Sequence, residues 1–155
     1  MSIIERFLED HREFRQHLKK ALALADHLST LSPPPSHTEE DGMFAHRLRR
    51  HARMEAELLF PALQRAGTGE SREKTVKDFI DHGNDEHVSV AKRHAEYHAA
   101  ANGAPLERWR FTLQQFADGL ERHMQLEEQE IFPLAKELLS QAVLIDLNQK
   151  AEKIP

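Results

Sequence analysis

None of the 155 residues is cysteine. That excludes disulfides, thiolate-ligated metal sites and cysteine nucleophiles, and it fits a reducing compartment. No run approaches the roughly 18 apolar residues of a membrane span. The opening Met1-Ser2-Ile3-Ile4-Glu5-Arg6 has no apolar signal core and no cleavage site. A soluble, cytoplasmic protein with no membrane partner is expected. There is no basic excess either. The net charge is −5 with histidine neutral, which gives no electrostatic reason to expect nucleic acid. No segment alternates apolar and polar residues as a half-buried strand does. What the chain has in abundance is histidine. Eleven are present, too many for one site, so several must be bystanders.

One stretch occurs twice. The first copy is His51-Ala52-Arg53-Met54-Glu55-Ala56-Glu57-Leu58-Leu59-Phe60-Pro61. The second is His123-Met124-Gln125-Leu126-Glu127-Glu128-Gln129-Glu130-Ile131-Phe132-Pro133. Both begin with His, place Glu four residues later and end in Phe-Pro. On a helix, residues four apart share a face, about 6 Å from each other. Each copy therefore aims an imidazole and a carboxylate in one direction, a ligand pair for a metal that accepts nitrogen and oxygen.

The rest of the chain reads as helices with apolar seams stepping by three and four. Residues 3 to 29 carry Ile4, Phe7, His11, Phe14 and Leu18 on such a seam. Pro33-Pro34-Pro35 marks an irregular connection. A second helix is expected from about Asp41 to Arg65, its seam running Phe44, Leu48, His51, Glu55, Leu58 and Ala62. Pro61 should kink it or loosen its last turn, and Gly67 is placed to cap it in the left-handed region. Ser71 is read as the N-cap of a third helix, to about Ala101, with His87 and His94 on its seam. Asn102-Gly103 ends it, and Pro105 suits the first turn of a fourth helix reaching about Leu139. That helix carries His123, Glu127, Ile131 and Leu134 on its seam. Residues 140 to 155 could add a short helix across one end. The expected fold is all-α, an up-down-up-down four-helix bundle forming a single domain over 1–155.

Each of the four helices thus places one histidine in its seam: His11, His51, His87 and His123. The second and fourth add Glu55 and Glu127. Antiparallel packing brings these to similar height. Burying four imidazoles and two carboxylates without partners would cost many kcal/mol, and a bound metal removes that cost. Six donors are too many for one tetrahedral ion and suit two metals bridged by carboxylates. Nitrogen and oxygen donors without thiolate point to iron, with zinc or manganese also admissible. An open position on such a pair could take O2, NO or peroxide.

On these residues, together with Asp85-Glu86-His87, the chain resembles the hemerythrin-like proteins, or HHE cation-binding domains, over about residues 3 to 139. The resemblance implies a non-haem diiron centre with an oxo or hydroxo bridge. His11, His51, His87 and His123 would be terminal ligands, and Glu55 and Glu127 would bridge. Two departures separate it from the oxygen carriers. They pair two histidines in the third helix, where His87 here is flanked at those spacings by Gly83 and Ala91. They also end on Asp five residues after its His, where Glu127 here stands four after His123. Glu128, at the five-residue spacing, is expected to point about 140° away from His123. The four-His, two-Glu pattern is more similar to diiron proteins that repair iron–sulfur clusters, although their usual Cys-bearing segment is not in this sequence.

Several roles follow from that resemblance. The protein could bind or react with O2, NO or peroxide in oxidative or nitrosative stress, or donate iron to damaged clusters. A metal-free structural bundle is the contrasting outcome, and whether the chain is an enzyme stays open. The missing fifth histidine is expected to leave room beside the metals at Gly83 or Ala91. His94 is read as a core or rim residue. His17, His27, His37, His46, His82 and His98 are expected to be solvated.

Overall fold

Ser2 starts the first helix with a reciprocal pair of bonds. Its hydroxyl accepts the Glu5 amide, and the Glu5 carboxylate accepts the Ser2 amide at 2.6 Å. The computed structural model describes residues 1–29 and 32–155. Helix α1 is Ile3–His27. Helix α2, Glu39–Met54, begins two residues before its expected start because Thr38 and Asp41 form the same kind of box. A five-residue π turn, Glu55–Leu59, continues it without a break and leads into α3, Phe60–Ala66. Helix α4 is Glu70–Ala100 and α5 is Leu106–Leu126. A second π turn, Glu127–Ile131, joins α5 to α6, Phe132–Leu138, and α7 is Gln141–Ala151. Among the described residues there is no strand, and no helix is long and apolar enough to cross a membrane.

Proline accounts for the π turns. Pro61 has no amide hydrogen, so it cannot bond the carbonyl four residues back, and its ring crowds that carbonyl. The chain widens by one residue instead, and the Phe60 amide bonds the Glu55 carbonyl, five back. Phe132 does the same to Glu127 ahead of Pro133. The expected kink is therefore a π turn in both copies, and it moves the seam on by one position. Leu59 is fully buried where Leu58 was expected, and Ala135 is fully buried where Leu134 was expected.

Two glycines behave differently from expectation. Gly67 is not left-handed, with φ at −78°. A Cβ there would come within 2.7 Å of Val76, so the residue serves close approach of the turn to α4. The positive φ falls on Gly69, at 96°, and Gly69 rather than Ser71 precedes α4.

The helices run up, down, up and down. The apolar interior falls into two clusters. At one end Ile3, Ile4, Phe7, Met54, Phe132 and Leu63 pack with Leu144, Leu147 and Ala151 of α7. At the other Phe14, Phe44, Tyr97, Trp109, Leu113 and Phe116 pack together. Each side chain buried in full stabilises the fold by about 1.5–3 kcal/mol relative to exposure. Helix α7 closes its end of the bundle through polar ties as well. Arg50 donates to the carbonyls of Ala151 and Ile154 at 2.8 and 2.9 Å. Arg50 is thus a strut between α2 and the C-terminal end of α7. Between the two clusters lies a polar layer.

Candidate metal centre

His11 of α1, His51 of α2 and His123 of α5 are buried, as are Glu55 and Glu127 at the first residue of each π turn. His87 of α4 is 16 % exposed. The helical spacing between His51 and Glu55, and between His123 and Glu127, survives because each π turn begins at the glutamate and widens only the backbone beyond it. All six predicted residues meet in one layer, and every imidazole presents its Nε2 to the carboxylate pair. His11 Nε2 lies 2.9 Å from Glu127 Oε2, and His87 Nε2 lies 2.8 Å from Glu55 Oε2. His51 Nε2 lies 3.5 Å from Glu127 and 3.7 Å from Glu55. His123 Nε2 is 2.5 Å from Glu127 Oε1 without the alignment of a hydrogen bond.

The donor atoms form two groups, each within 4.8 Å. One is His11, His51 and Glu127. The other is Glu55, His87, His123 and Glu127. Four buried atoms have no hydrogen-bond partner: His51 Nε2, Glu55 Oε1, His123 Nδ1 and Glu127 Oε1. Among them, His51 Nε2 turns toward the carboxylates of Glu55 and Glu127, at 3.7 and 3.5 Å. Unsatisfied buried polar atoms are rare in folded proteins and ask for a reason. A cation among them supplies one, so the donor set fits a metal on its own chemistry.

Electrostatics agrees. Burial works against charge on His51, yet Glu55, Asp10 and Glu127 outweigh it and lift the imidazole to about 10. Burial opposes charge on His123 too, and Glu127 and Glu55 still raise it. Burial would raise Glu127, but His123, His11 and His51 hold it well below the usual carboxylate range. Without a metal the carboxylates favour a proton on His51 and His123, and the imidazoles favour an ionised Glu127. With one, the ion replaces the imidazolium protons.

The outer partners were partly missed from the sequence. Asp10 is buried and accepts from His51 Nδ1 at 3.0 Å. It stands three residues after Phe7 on the α1 seam, a carboxylate where an apolar side chain belongs, and that was its signal. Glu128 lies 2.7 Å from His11 Nδ1 and accepts from Arg15 at 2.8 Å, with Arg15 also paired to Glu121. The expected angle from His123 places Glu128 away from its own helix face. Helix α1 packs on that side, so the residue meets His11 instead of water.

The space left by the absent fifth histidine is divided. Gly83 is not open, since a Cβ there would lie 2.9 Å from the Phe60 ring. Ala91 does face open space, a cleft of about 520 Å³ reaching all four of these histidines. His94 lines the same cleft, and burial first, then His98 and Arg49, lowers it to about 4. His17 and His37, expected in solvent, are half-buried, whereas His98 is exposed as expected. His17 stacks on Phe44 at 4.1 Å, and His37 stacks on His98 at 3.8 Å.

A family model for the hemerythrin HHE cation-binding domain matches residues 2–135. No curated protein and no solved structure gives a match.

Proposed function

The chain belongs to the hemerythrin HHE cation-binding family, and from that premise we propose that it holds two non-haem iron ions and uses them to bind or react with O2, NO or peroxide. His11, His51, His87 and His123 would be the terminal ligands, with Glu55 and Glu127 between the ions. The observation that carries this reading is the convergence of four Nε2 atoms on two buried carboxylates, with buried atoms of His51, Glu55 and Glu127 left unpartnered. Two ions are chosen over one because the donors form two groups that share Glu127. The absence of sulfur donors leaves iron, zinc and manganese. When bound, iron would supply Lewis acidity and one-electron redox chemistry.

The chain's own residues do the rest. Asp10 and Glu128 fix which ring nitrogen of His51 and His11 faces inward, and Arg15 holds Glu128 in place. Phe60 and Phe132 pack beside His87 and His11 and keep water from the layer. The cleft along Ala91 gives small molecules access to His87 and His123. Response to oxidative or nitrosative stress is the setting that suits this chemistry. A second reading, release of iron for repair of iron–sulfur clusters, is favoured by the partial exposure of His87, which leaves one group less enclosed.

Metal analysis of protein made in iron-replete cells tests both, with optical spectra before and after dithionite, O2 and NO. About two irons per chain is expected for a carboxylate-bridged pair, with near-ultraviolet bands that respond to the gases. Zinc in place of iron would remove the redox roles. No metal, and no gain in thermal stability on adding iron, would leave a structural bundle and end the metal reading.

A further inference from the structure

Helices α2 and α4 do not seal against each other. Ala45 and Ala52 on α2 and Ala91 on α4 are too short to meet, and the cleft of about 520 Å³ opens between them. Its walls are Phe14, Leu48, Val90, Leu120 and Met124, and its floor is the set of four imidazoles. The volume lies within the 300–1,000 Å³ range of pockets that hold organic molecules. A gas molecule of about one water's volume, ~30 Å³, would fill little of it.

The rim carries charge of one sign. Arg53 is engaged by Glu57 at 2.9 Å. Arg49 is exposed and, among the described residues, has no hydrogen bond or ion pair. His94, beside it, is held neutral. No carboxylate lines the cleft. A cleft with apolar walls and an unpaired guanidinium at its rim matches a molecule that is apolar along its length and anionic at one end.

We infer that this cleft binds an organic monocarboxylate, with the carboxylate at Arg49 and the apolar tail directed toward His87 and His123. The inference rests on the metal reading only for what the tail meets at the floor. Recognition itself needs the walls and Arg49.

The test is calorimetric titration of metal-analysed protein with octanoate, octanol and butyrate. Octanoate is expected to bind one per chain. Butyrate should bind more than tenfold weaker, because most of the buried methylenes are gone. Octanol should bind about fivefold weaker, the size of a partly exposed ion pair. R49A should bring octanoate down to the level of octanol. A91W should abolish binding while leaving metal content and melting temperature as in the wild type. If A91W does not fold, A52F blocks the cleft from the other wall. Failure of octanoate to bind the metal-loaded protein overturns the inference and leaves the metal reading standing. So does equal binding of octanol, or wild-type affinity in the blocked variants. Octanoate bound with the same dependence on Arg49 and Ala91 in protein that takes up no metal supports the cleft and removes the metal reading. Absence of both binding and metal overturns both.

Discussion

His11 and His51 each have a carboxylate on the ring nitrogen turned away from the glutamates, Glu128 at 2.7 Å and Asp10 at 3.0 Å. His123 has no partner there, and His87 stands at the edge of the cleft. The repeat does not explain this difference. Glu128 aligns with Ala56, which is exposed, and Glu86, which precedes His87 as Asp10 precedes His11, faces His82 at 3.5 Å instead of the centre. Two segments that agree on the inward ligands have diverged in what supports them. A carboxylate on Nδ1 makes an imidazole a stronger donor at Nε2. The group containing His11 and His51 is therefore expected to hold its ion more tightly, and the group containing His87 and His123 to exchange.

The largest expected effect separates the two glutamates. Glu127 belongs to both donor groups and Glu55 to one. E127Q should lose more metal than E55Q, because Glu127 meets donors of both groups, as read by plasma mass spectrometry after equilibration with iron. Equal losses would erase the distinction.

Next come the outer carboxylates. D10N and E128Q should weaken the tighter ion by about 10–100-fold, measured by competition with a chelator, while E86Q should leave it unchanged. If E86Q matches D10N, the two groups are supported alike.

Metal-free protein should show opposite pH signs at the centre and in the cleft beside it. His51, at about 10 when folded, adds stability that is full below about 6.5 and is lost as pH rises through about 10. His94, at about 4, does the reverse. The unfolded chain binds its proton first, so stability drops as pH falls from about 6.5 toward 4. Urea midpoints across pH 4 to 10 should show both limbs, with H94L flattening the acid one and H51Q the alkaline one. Filling the centre with metal should suppress the His51 limb alone, since His94 is not among the ligands.

The smallest effect is expected of A56E, which copies Glu128 into the first repeat. Ala56 is exposed, so stability should change by less than about 0.5 kcal/mol. The metal affinity should not change, because position 56 is exposed and outside both donor groups.

Helix order, the all-α class and the six inward residues were legible because each depends on spacing within one helix. His51 and Glu55 needed only an unbroken α-helical turn between them, and they have one. The π turns were half legible. Pro61 announced a disturbance, but whether the backbone bends or widens depends on packing across helices. That is why Leu58 was expected where Leu59 is buried. Asp10, Glu128 and the cleft depend on which helix stands next to which, and on how closely. Ala91 and Gly83 look alike along the sequence, yet the Phe60 ring fills only the space beside Gly83.

The polar layer divides the interior into two apolar clusters with no buried residue in common. Each cluster can hold its own end of the rod together before any ion is bound. The weak zone of the unloaded chain is then its waist. In most helical proteins the amides at mid-helix are the last to exchange with solvent and the ends open first. Here the amides around His51, His87 and His123 would open ahead of those near Phe7 or Phe116. Loading would restore the usual order, so the exchange pattern along a single helix, read from end to end, would record how many of the chains in a sample carry metal.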